Sequence, residues 1–345
     1  SGDQVSFTNT GATFNDKNVG TGKTVTLSGV ALSNGNGNND ADNYTIAATA
    51  TTTANITRLT SVNWVGAATG NWFDPANWAG DAVPDLSNVA NVTIPAGVTV
   101  GFNTTGAVSP ADASNAVNIN SLDSSSASLT QTDGTLNIGS GGMTLETFTQ
   151  NGGSFSSSGN IELNNFYQTG GTTDTSSQSK LTVNNDFSQS TVGSGDIDGD
   201  LNVTDNVGGT ILGNVTVNGV TSITSTDGDI TQAEGTRVLF GNEVTLKAGK
   251  SDNSTIYDIV LDNDGNDLGT VTNVAGKNVT LVDDLNGLKV GWMKGMGDRE
   301  MTSNEGAITK GEEEGDGREV AGKTKVKAAK TVEGGEKEEN SGRNG

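Results

Sequence analysis

A short phrase that returns about every twenty residues constrains the fold of this chain most strongly. It places an apolar residue two positions before a glutamine, and its four copies begin at Leu129, Phe148, Phe166 and Phe187. The copies are nearly evenly spaced, and three of them run into a glycine within three residues of the glutamine. A fixed period near twenty indicates a repeat architecture, because one unit of that length cannot bury its apolar face alone.

Short alternating segments accompany the phrase. Between 120 and 290, apolar and polar residues alternate in runs of three to five, as at 135–138, 181–183 and 215–217. Alternation is typical of β-strands with one buried face. Strands this short favour stacked coils over a sandwich, whose strands are longer, and they leave no room for crossover helices. We therefore predict an all-β fold in which 121–310 form a right-handed parallel β-helix, a solenoid whose handedness follows from strand twist and crossover preference.

A second repeat lies further apart in the sequence. The segment 223–232 returns in altered form at 301–310. We interpret this separation as four coils, each of the length that the shorter repeat indicates.

Residues 1–58 have a pattern of their own. Alternating runs at 5–7, 24–27 and 44–48 predict a small all-β module of five or six strands. The stretch 14–29, followed by 40–45, resembles the YDG repeat of large bacterial surface proteins. The Tyr-Asp-Gly triad that names the repeat is missing, so we expect a truncated YDG-like module at 1–58. The resemblance implies a stalk unit of a tandem array and a chain that is part of a longer protein.

Tryptophan and proline are concentrated in 59–120. Trp64, Trp72 and Trp78 are three of the four tryptophans, and all four prolines lie in the same segment. Proline cannot donate to a β-ladder, so this segment is not the interior of a sheet. The spacing of the tryptophans is similar to that in the opening segment of many bacterial β-helix surface proteins. A stack of repeats also needs an atypical first layer to cover its exposed end. We interpret 59–120 as the cap of the solenoid. The alternative is a carbohydrate-binding platform of Trp64, Trp72 and Trp78, which requires exposed rings.

Two acidic turns supply metal hypotheses, a stronger one at 262–267 and a similar but weaker one at Asp196, Asp198 and Asp200. Asp262, Asp264 and Asp267 surround Gly265 and offer the oxygen ligands that Ca²⁺ prefers. The turn lacks the glutamate that completes an EF-hand loop. We expect no cofactor and a solvated turn here, with a Ca²⁺ site at these three aspartates as the alternative.

Charge and composition exclude several classes of function. The formal net charge is −22 and the pI is about 4.1, which argues against nucleic acid and against an anionic membrane surface as partners. No apolar run approaches the ~20 residues that span a bilayer, so we expect no membrane insertion. Histidine, the commonest general base, is absent. We therefore expect that the chain is not an enzyme.

The C-terminal segment differs in composition from the rest of the chain. Residues 291–345 hold charged side chains of both signs at a far higher density than the preceding sequence. Because runs of charge are usually solvated, we expect 311–345 to be a charged, poorly ordered tail.

A second resemblance concerns the repeat region. A T-x-G-x-I-T phrase followed by a strand patterned G...V.L.A resembles the filamentous-haemagglutinin class of secreted β-helix adhesins, over about 120–332. It implies a fragment of a large adhesin, secreted or on the exterior of the Gram-negative outer membrane, that attaches to host or matrix glycans or proteins without catalysis. Two alternatives remain: a polysaccharide-active β-helix enzyme and a pure structural spacer. A groove with converging carboxylates would favour the enzyme.

Overall fold

The computed structural model describes residues 3–16, 19–35, 39–104, 116–190, 193–252, 254–295, 297–310 and 323–328. The chain divides into two units, Ser1–Ser61 with Asp85–Ala90, and Val62–Pro84 with Asn91–Gly345. Only about 2% of the chain is helical, in 3₁₀ turns at Asp40–Asn43 and Pro75–Asn77, so the prediction of an all-β fold is confirmed. Among the described residues, no helix has the length and apolar character needed to cross a membrane.

The first unit is a small antiparallel module, as the sequence predicted, but the alternating run at 44–48 is not a strand and β5 begins only after it. Its strands are β1 (Val5–Thr8), β2 (Gly11–Phe14), β3 (Gly20–Ser28), β4 (Ala31–Asn34) and β5 (Thr49–Ile56). Strand β1 pairs with β4, and β2, β3 and β5 form a three-stranded sheet. Within the described part of 1–61, the buried apolar residues are Val30 and Ala41.

The strands from residue 59 onward build mainly the second unit. The first of them are β6 (Leu59–Asn63), β7 (Thr69–Asn71), β8 (Val89–Thr93), β9 (Thr99–Phe102), β10 (Ala116–Gln131), β11 (Thr135–Ser157), β12 (Ile161–Thr175), β13 (Lys180–Gln189), β14 (Ser194–Ile197), β15 (Asp200–Asp205), β16 (Thr210–Leu212) and β17 (Asn214–Val217). The later ones are β18 (Thr221–Ser225), β19 (Ile230–Gln232), β20 (Val238–Phe240), β21 (Glu243–Ala248), β22 (Ile259–Leu261), β23 (Thr270–Gly276), β24 (Val279–Asp283), β25 (Lys289–Gly295), β26 (Arg299–Ser303), β27 (Thr309–Lys310) and β28 (Thr324–Ala328).

These strands wind into a parallel β-solenoid of about nine turns with three faces. Long strands β10 to β13 bend around corners and contribute to more than one face. The first face continues through β15, β18, β21, β23 and β25, and the second through β16, β19, β22, β24, β26 and β28. The third face runs through 116–119, 135–138, 154–157, 172–175, β14, β17 and β20. Each coil advances the stack by about 4.8 Å.

The register confirms that the repeated phrase marks one coil. Leu129 pairs with Phe148, Phe148 with Phe166, and Phe166 with Phe187, all in parallel. Neighbouring rings stack at 5.9 Å between Phe148 and Phe166 and at 5.5 Å between Phe166 and Phe187. All of these side chains are buried, so the repeated apolar residue forms a continuous column inside the second face.

The glutamines of the repeat form a second buried column. Nε2 of Gln150, Gln168 and Gln189 donates to Oε1 of the preceding glutamine at 3.3, 2.9 and 2.7 Å, beginning from Gln131. The amides of Gln131, Gln150 and Gln168 also donate to carbonyls of the third face, at 2.8 to 2.9 Å. Buried polar groups are tolerated only when they are hydrogen-bonded, and this ladder satisfies that condition.

The glycines of the repeat turn the corner that follows. Gly153 and Gly171 have φ of +75° and +79°, a conformation that glycine adopts without penalty. A Cβ on Gly171 would lie 2.6 Å from the carbonyl oxygen of Gly153, one coil away. Side chains are therefore excluded here by the stacking of the coils.

The interpretation of 223–232 and 301–310 as copies four equal coils apart is wrong. Ile223 lies on the first face, and its column continues through Leu246 and Val274 to Met293. Met301 lies on the second face, beside Leu281. The two similar phrases thus occupy different faces.

Corner loops explain the error. Loops 233–237 and 249–258 lengthen the coils to which they belong. The step from Ile230 to its partner Ile259 is therefore much longer than the steps of the early coils. Coils of unequal length do not keep sequence-equivalent residues in one column.

Part of the segment expected to be a poorly ordered tail is a strand. Strand β28 pairs in parallel with β26 and extends the second face. The remainder of 311–345, namely 311–322 and 329–345, lies outside the described residues, and its poor order stays a prediction.

Candidate functional site

The three clustered tryptophans are buried together. Trp64, Trp72 and Trp78 expose 3%, 0% and 0% of their surface. Trp78 meets Trp64 edge to face at 5.0 Å and Trp72 at 4.8 Å between ring centroids, and Trp72 also packs on Phe102 of β9. The indole N–H of Trp78 donates to the carbonyl of Trp72 at 2.7 Å, and that of Trp64 to the carbonyl of Ala67 at 2.9 Å.

This packing bears on the two interpretations of the tryptophans. A carbohydrate platform needs exposed ring faces, and these rings offer none, so as placed they cannot stack on a sugar. Their contact with Phe102, inside one of the first coils, is what a cap provides. The fourth tryptophan, Trp292, is half-buried on the first face beside Asn273.

The acidic turn does not assemble a metal site. Asp262 and Asp264 are exposed, and Asp267 is half-buried with Oδ2 accepting from Nδ2 of Asn286 at 2.9 Å. Across the part of the chain that the structure describes, no group of three or more acidic side chains is placed to hold a metal ion. Gly265 turns the chain between these aspartates at φ +82°.

Two carboxyl groups lie inside the solenoid. Asp205 accepts from the N–H groups of Val207 and Phe187 and from the hydroxyl of Thr210, at 3.0 to 3.2 Å. Its burial nevertheless raises its pKa above the ordinary value. Burial raises the pKa of Asp283 to about 6, although Oδ2 accepts from the N–H of Leu268 at 2.8 Å and that hydrogen bond lowers the pKa. Both face the interior, so we assign them to structure.

A groove of about 650 Å³ crosses the outer surface of the third face. It spans strands β12, β14, β17 and β20, and the last of its four levels includes Arg237, just before β20. We name it the third-face groove; its outward residues are Thr172, Asp174, Ser194, Asp196, Asn214, Thr216, Arg237 and Leu239.

The outward side chains form two columns. One column runs Thr172, Ser194 and Asn214, and Asn214 Oδ1 accepts from the backbone N–H of Arg237 at 3.0 Å. The other runs Asp174, Asp196, Thr216 and Leu239 through paired positions of successive strands. The groove is therefore acidic at one end and carries a guanidinium and an aliphatic side chain at the other.

The corner loops of the irregular coils form the end of the groove that carries Arg237. Arg237 closes corner loop 233–237, and a Cβ on Gly265 of the next corner would lie 2.6 Å from Cδ of Arg237. The bare glycine therefore lets the arginine stem pass over it. Insertions in repeat proteins often map to a binding face, and this one borders the groove.

The acidic end concentrates negative charge. Asp174 and Asp196 occupy adjacent coils in the same column, and both are exposed. Partial burial raises the pKa of Asp174 above its ordinary value, and the carboxylates of Asp196 and Asp198 raise it further. A ligand that donates hydrogen bonds to this pair would relieve the repulsion.

Sequence reasoning missed the third-face groove. Asp196 was visible only as part of an acidic turn, and nothing in the sequence aligned it with Asp174, its partner in the preceding coil. The irregular steps of the later coils hid which side chains share a face. The outward period-two positions of 172–175 and 194–197 were the only available signal.

Comparison with known proteins gives one family match, at the beginning of the sequence. Residues 1–71 match the YDG domain family. The match confirms the YDG resemblance noted above; it extends beyond residue 58 into the first residues of the second unit and covers about a fifth of the chain. No curated protein and no solved structure matches the chain. A YDG domain followed by a β-solenoid is compatible with an adhesin-like or structural role.

Proposed function

We propose that this chain is a non-catalytic attachment segment of a large bacterial surface protein, in which the solenoid provides reach and a ligand-binding surface. The observation that carries the proposal is the continuous solenoid of about nine turns with a closed interior and polar outward faces. At about 4.8 Å per coil, such a stack extends roughly 40 Å. Its length grows by adding coils, which suits a protein that must reach from a cell.

The location outside the cell rests on the module and on the resemblance of the solenoid. The YDG match supports a stalk unit of a surface protein, as the resemblance implied. We place the chain in a secreted or outer-membrane-exterior protein of the filamentous-haemagglutinin type. The strongly acidic composition favours ligands other than polyanions.

The partners that we propose are glycans or proteins of a host or matrix. A polar surface repeated every coil presents many weak contacts at regular spacing. Such contacts reach useful strength through multiplicity, because linked sites act at high effective concentration.

One feature of the third-face groove favours the enzyme alternative. It holds two carboxylates, of which Asp174 has a raised pKa, and a glycoside hydrolase uses one carboxyl group as an acid of raised pKa. We favour binding, because Asp174 and Asp196 project from one column of one wall and do not face each other across a cleft.

One parallel experiment separates the three functions. The full chain is applied to a glycan array and to matrix proteins, and the same preparation is screened for release of products from polysaccharides. We expect binding without product release. Product release that disappears in Asp174→Asn would establish the enzyme instead. No binding and no release would leave the spacer.

A further inference from the structure

We propose that the third-face groove binds an uncharged oligosaccharide that lies along the solenoid axis over four coils. The proposal rests on the attachment function above and names the site and the ligand class. The groove volume of about 650 Å³ lies within the ~300–1,000 Å³ usual for ligand sites. From β12 to β20 there are three ladder steps, which together span about 14 Å. The site is thus long and narrow, as an extended oligomer requires.

The outward side chains match the chemistry of sugar hydroxyl groups. Thr172, Ser194 and Thr216 offer hydroxyls that both donate and accept. The carboxylates of Asp174 and Asp196 accept only, and hydrogen bonds from hydroxyl groups to ionised carboxylates are stronger than neutral ones. A chain of pyranose rings presents hydroxyls at regular intervals that can meet successive coils.

The basic end completes the set of contacts. Arg237 supplies donors for ring and hydroxyl oxygens, and its stem is held over Gly265. Leu239 offers an aliphatic surface at the end of the second column, against which the C–H face of a sugar can pack. Donors, acceptors and an apolar contact are thus laid out in order along the groove.

Peptide ligands fit the groove poorly. A peptide adds to a sheet by pairing with a free strand edge, or it places apolar anchors in pockets. The strands of this face pair with one another in sequence from β12 to β20, so the floor of the groove offers no edge. Leu239 is the one large apolar side chain among the eight outward residues of the groove.

Charge selects uncharged sugars over anionic ones. Asp196 and Asp198 already disfavour further negative charge beside Asp174, and the net charge of the whole chain is −22. Uronic acids or sulfated sugars would meet repulsion over the acidic half of the groove. Arg237 stands two ladder steps from the level of Asp196 and leaves that repulsion largely in place.

The experiment uses the full chain and a panel of tetra- to hexasaccharides built from neutral, amino or uronic-acid sugars. Binding is measured by ligand-observed NMR for the wild type and for the double variant Asp174→Asn with Asp196→Asn. The control is Asp123→Asn with Glu243→Gln, which removes the same charge from exposed positions at the first face. Thermal unfolding of each variant verifies folding, and a third variant, Thr216→Arg, fills the groove without removing a carboxylate.

We expect binding of neutral oligosaccharides with a dissociation constant of about 1 mM. Both groove variants should weaken binding at least tenfold, whereas the control stays within twofold. If the wild type binds neutral sugars and the groove variants bind equally well, the groove proposal fails and the attachment function stands.

The remaining outcomes are equally decisive. A preference for uronic or amino sugars overturns the ligand class. Release of shorter products overturns non-catalytic binding. If the wild type binds no glycan, matrix protein or cell, the attachment function fails together with the groove.

Discussion

The two units of this chain use the same kind of sequence in opposite ways. Both alternate apolar and polar residues in short strands. In the module, Phe7 of β1 and Phe14 of β2 expose 66% and 40% of their surface, whereas in the solenoid Phe148 and Phe166 expose 0% and 1%. The same alternation therefore leads to an uncovered face in one unit and to a packed interior in the other.

The difference follows from repetition. A single small sheet has one apolar face and nothing of its own to cover it, and two- or three-stranded units are marginal for that reason. In the solenoid each coil closes on itself through three faces, so every inward side chain meets side chains of its own coil and of its neighbours. Alternation predicts a strand, but closure of the coil decides whether its apolar face is buried.

The largest effect should come from one substitution made in both units. Phe166→Ala removes a buried ring from the phenylalanine column and should destabilise the solenoid by about 3–5 kcal/mol. Phe7→Ala is the matched control and should change stability by about 0.5 kcal/mol or less, because Phe7 is mostly exposed. Urea unfolding followed by circular dichroism measures both. Equal effects would contradict the contrast in burial.

The glutamine ladder permits a second paired comparison. Gln168→Ala removes the acceptor of Gln189 and the donor to Gln150, so it should cost roughly 2–3 kcal/mol. Gln4→Ala in the module alters an exposed side chain and should be nearly neutral. Urea unfolding followed by circular dichroism measures both variants. If Gln168→Ala left the free energy of unfolding unchanged, water would have replaced the hydrogen bonds of the ladder.

The buried carboxyl group of Asp283 predicts that the stability of the solenoid depends on pH. Its pKa of about 6 in the folded state lies above the unfolded value of 3.8, so the folded state holds the proton more tightly. Wild-type stability should therefore fall as the pH rises from the unfolded value through the folded one. Asp283→Asn removes this loss and should be the more stable form by up to about 3 kcal/mol at neutral pH, with little difference in acid below the unfolded pKa.

The control for this prediction is Asp42→Asn, at an exposed position of the module. Urea unfolding of the three proteins in acid and at neutral pH makes the measurement. An Asp283→Asn effect that is the same at both pH values would contradict the buried carboxyl.

Substitutions in the surface ion pairs should have the smallest effect on the stability of either unit. Asp16 pairs with Lys23 in the module, and Glu300 pairs with Lys325 in the solenoid. Glu300→Gln should cost about 0.5 kcal/mol or less, because both members of its pair are exposed, and Asp16→Asn, whose partner Lys23 has a side chain only 11% exposed, about 1 kcal/mol or less. A much larger loss in one unit, measured by thermal unfolding at low and high salt, would show that this pair is not a simple surface contact.

The sequence was informative where the coils are regular. The nearly even steps of the repeated phrase predicted the pairing of Leu129, Phe148, Phe166 and Phe187, because equal coil lengths keep equivalent residues in one column. The role of the glutamines could not be read in the same way. An amide at an inward position becomes favourable only when its neighbours in adjacent coils are amides too.

The sequence failed where corner loops change length. The similarity of 223–232 to 301–310 predicted a shared column, but loops 233–237 and 249–258 add residues between strands without altering the strands themselves. The third-face groove depends on those loops, since Arg237 ends the first of them. Local patterns report strand and turn types, whereas the face on which a strand lies depends on every loop before it.

Disulfide trapping tests the stacking of the coils most directly, because the chain contains no cysteine of its own. Thr130 and Thr149 are paired outward positions of adjacent coils, whereas Thr147 lies one pleat away from that pairing. Adjacent Cα atoms in a ladder are about 4.8 Å apart, within the range that a disulfide bridges. We predict that Thr130→Cys with Thr149→Cys forms a disulfide under mild oxidation and that Thr130→Cys with Thr147→Cys does not. Cross-linking of the second pair but not of the first would contradict the coil register on which the solenoid, its columns and the groove depend.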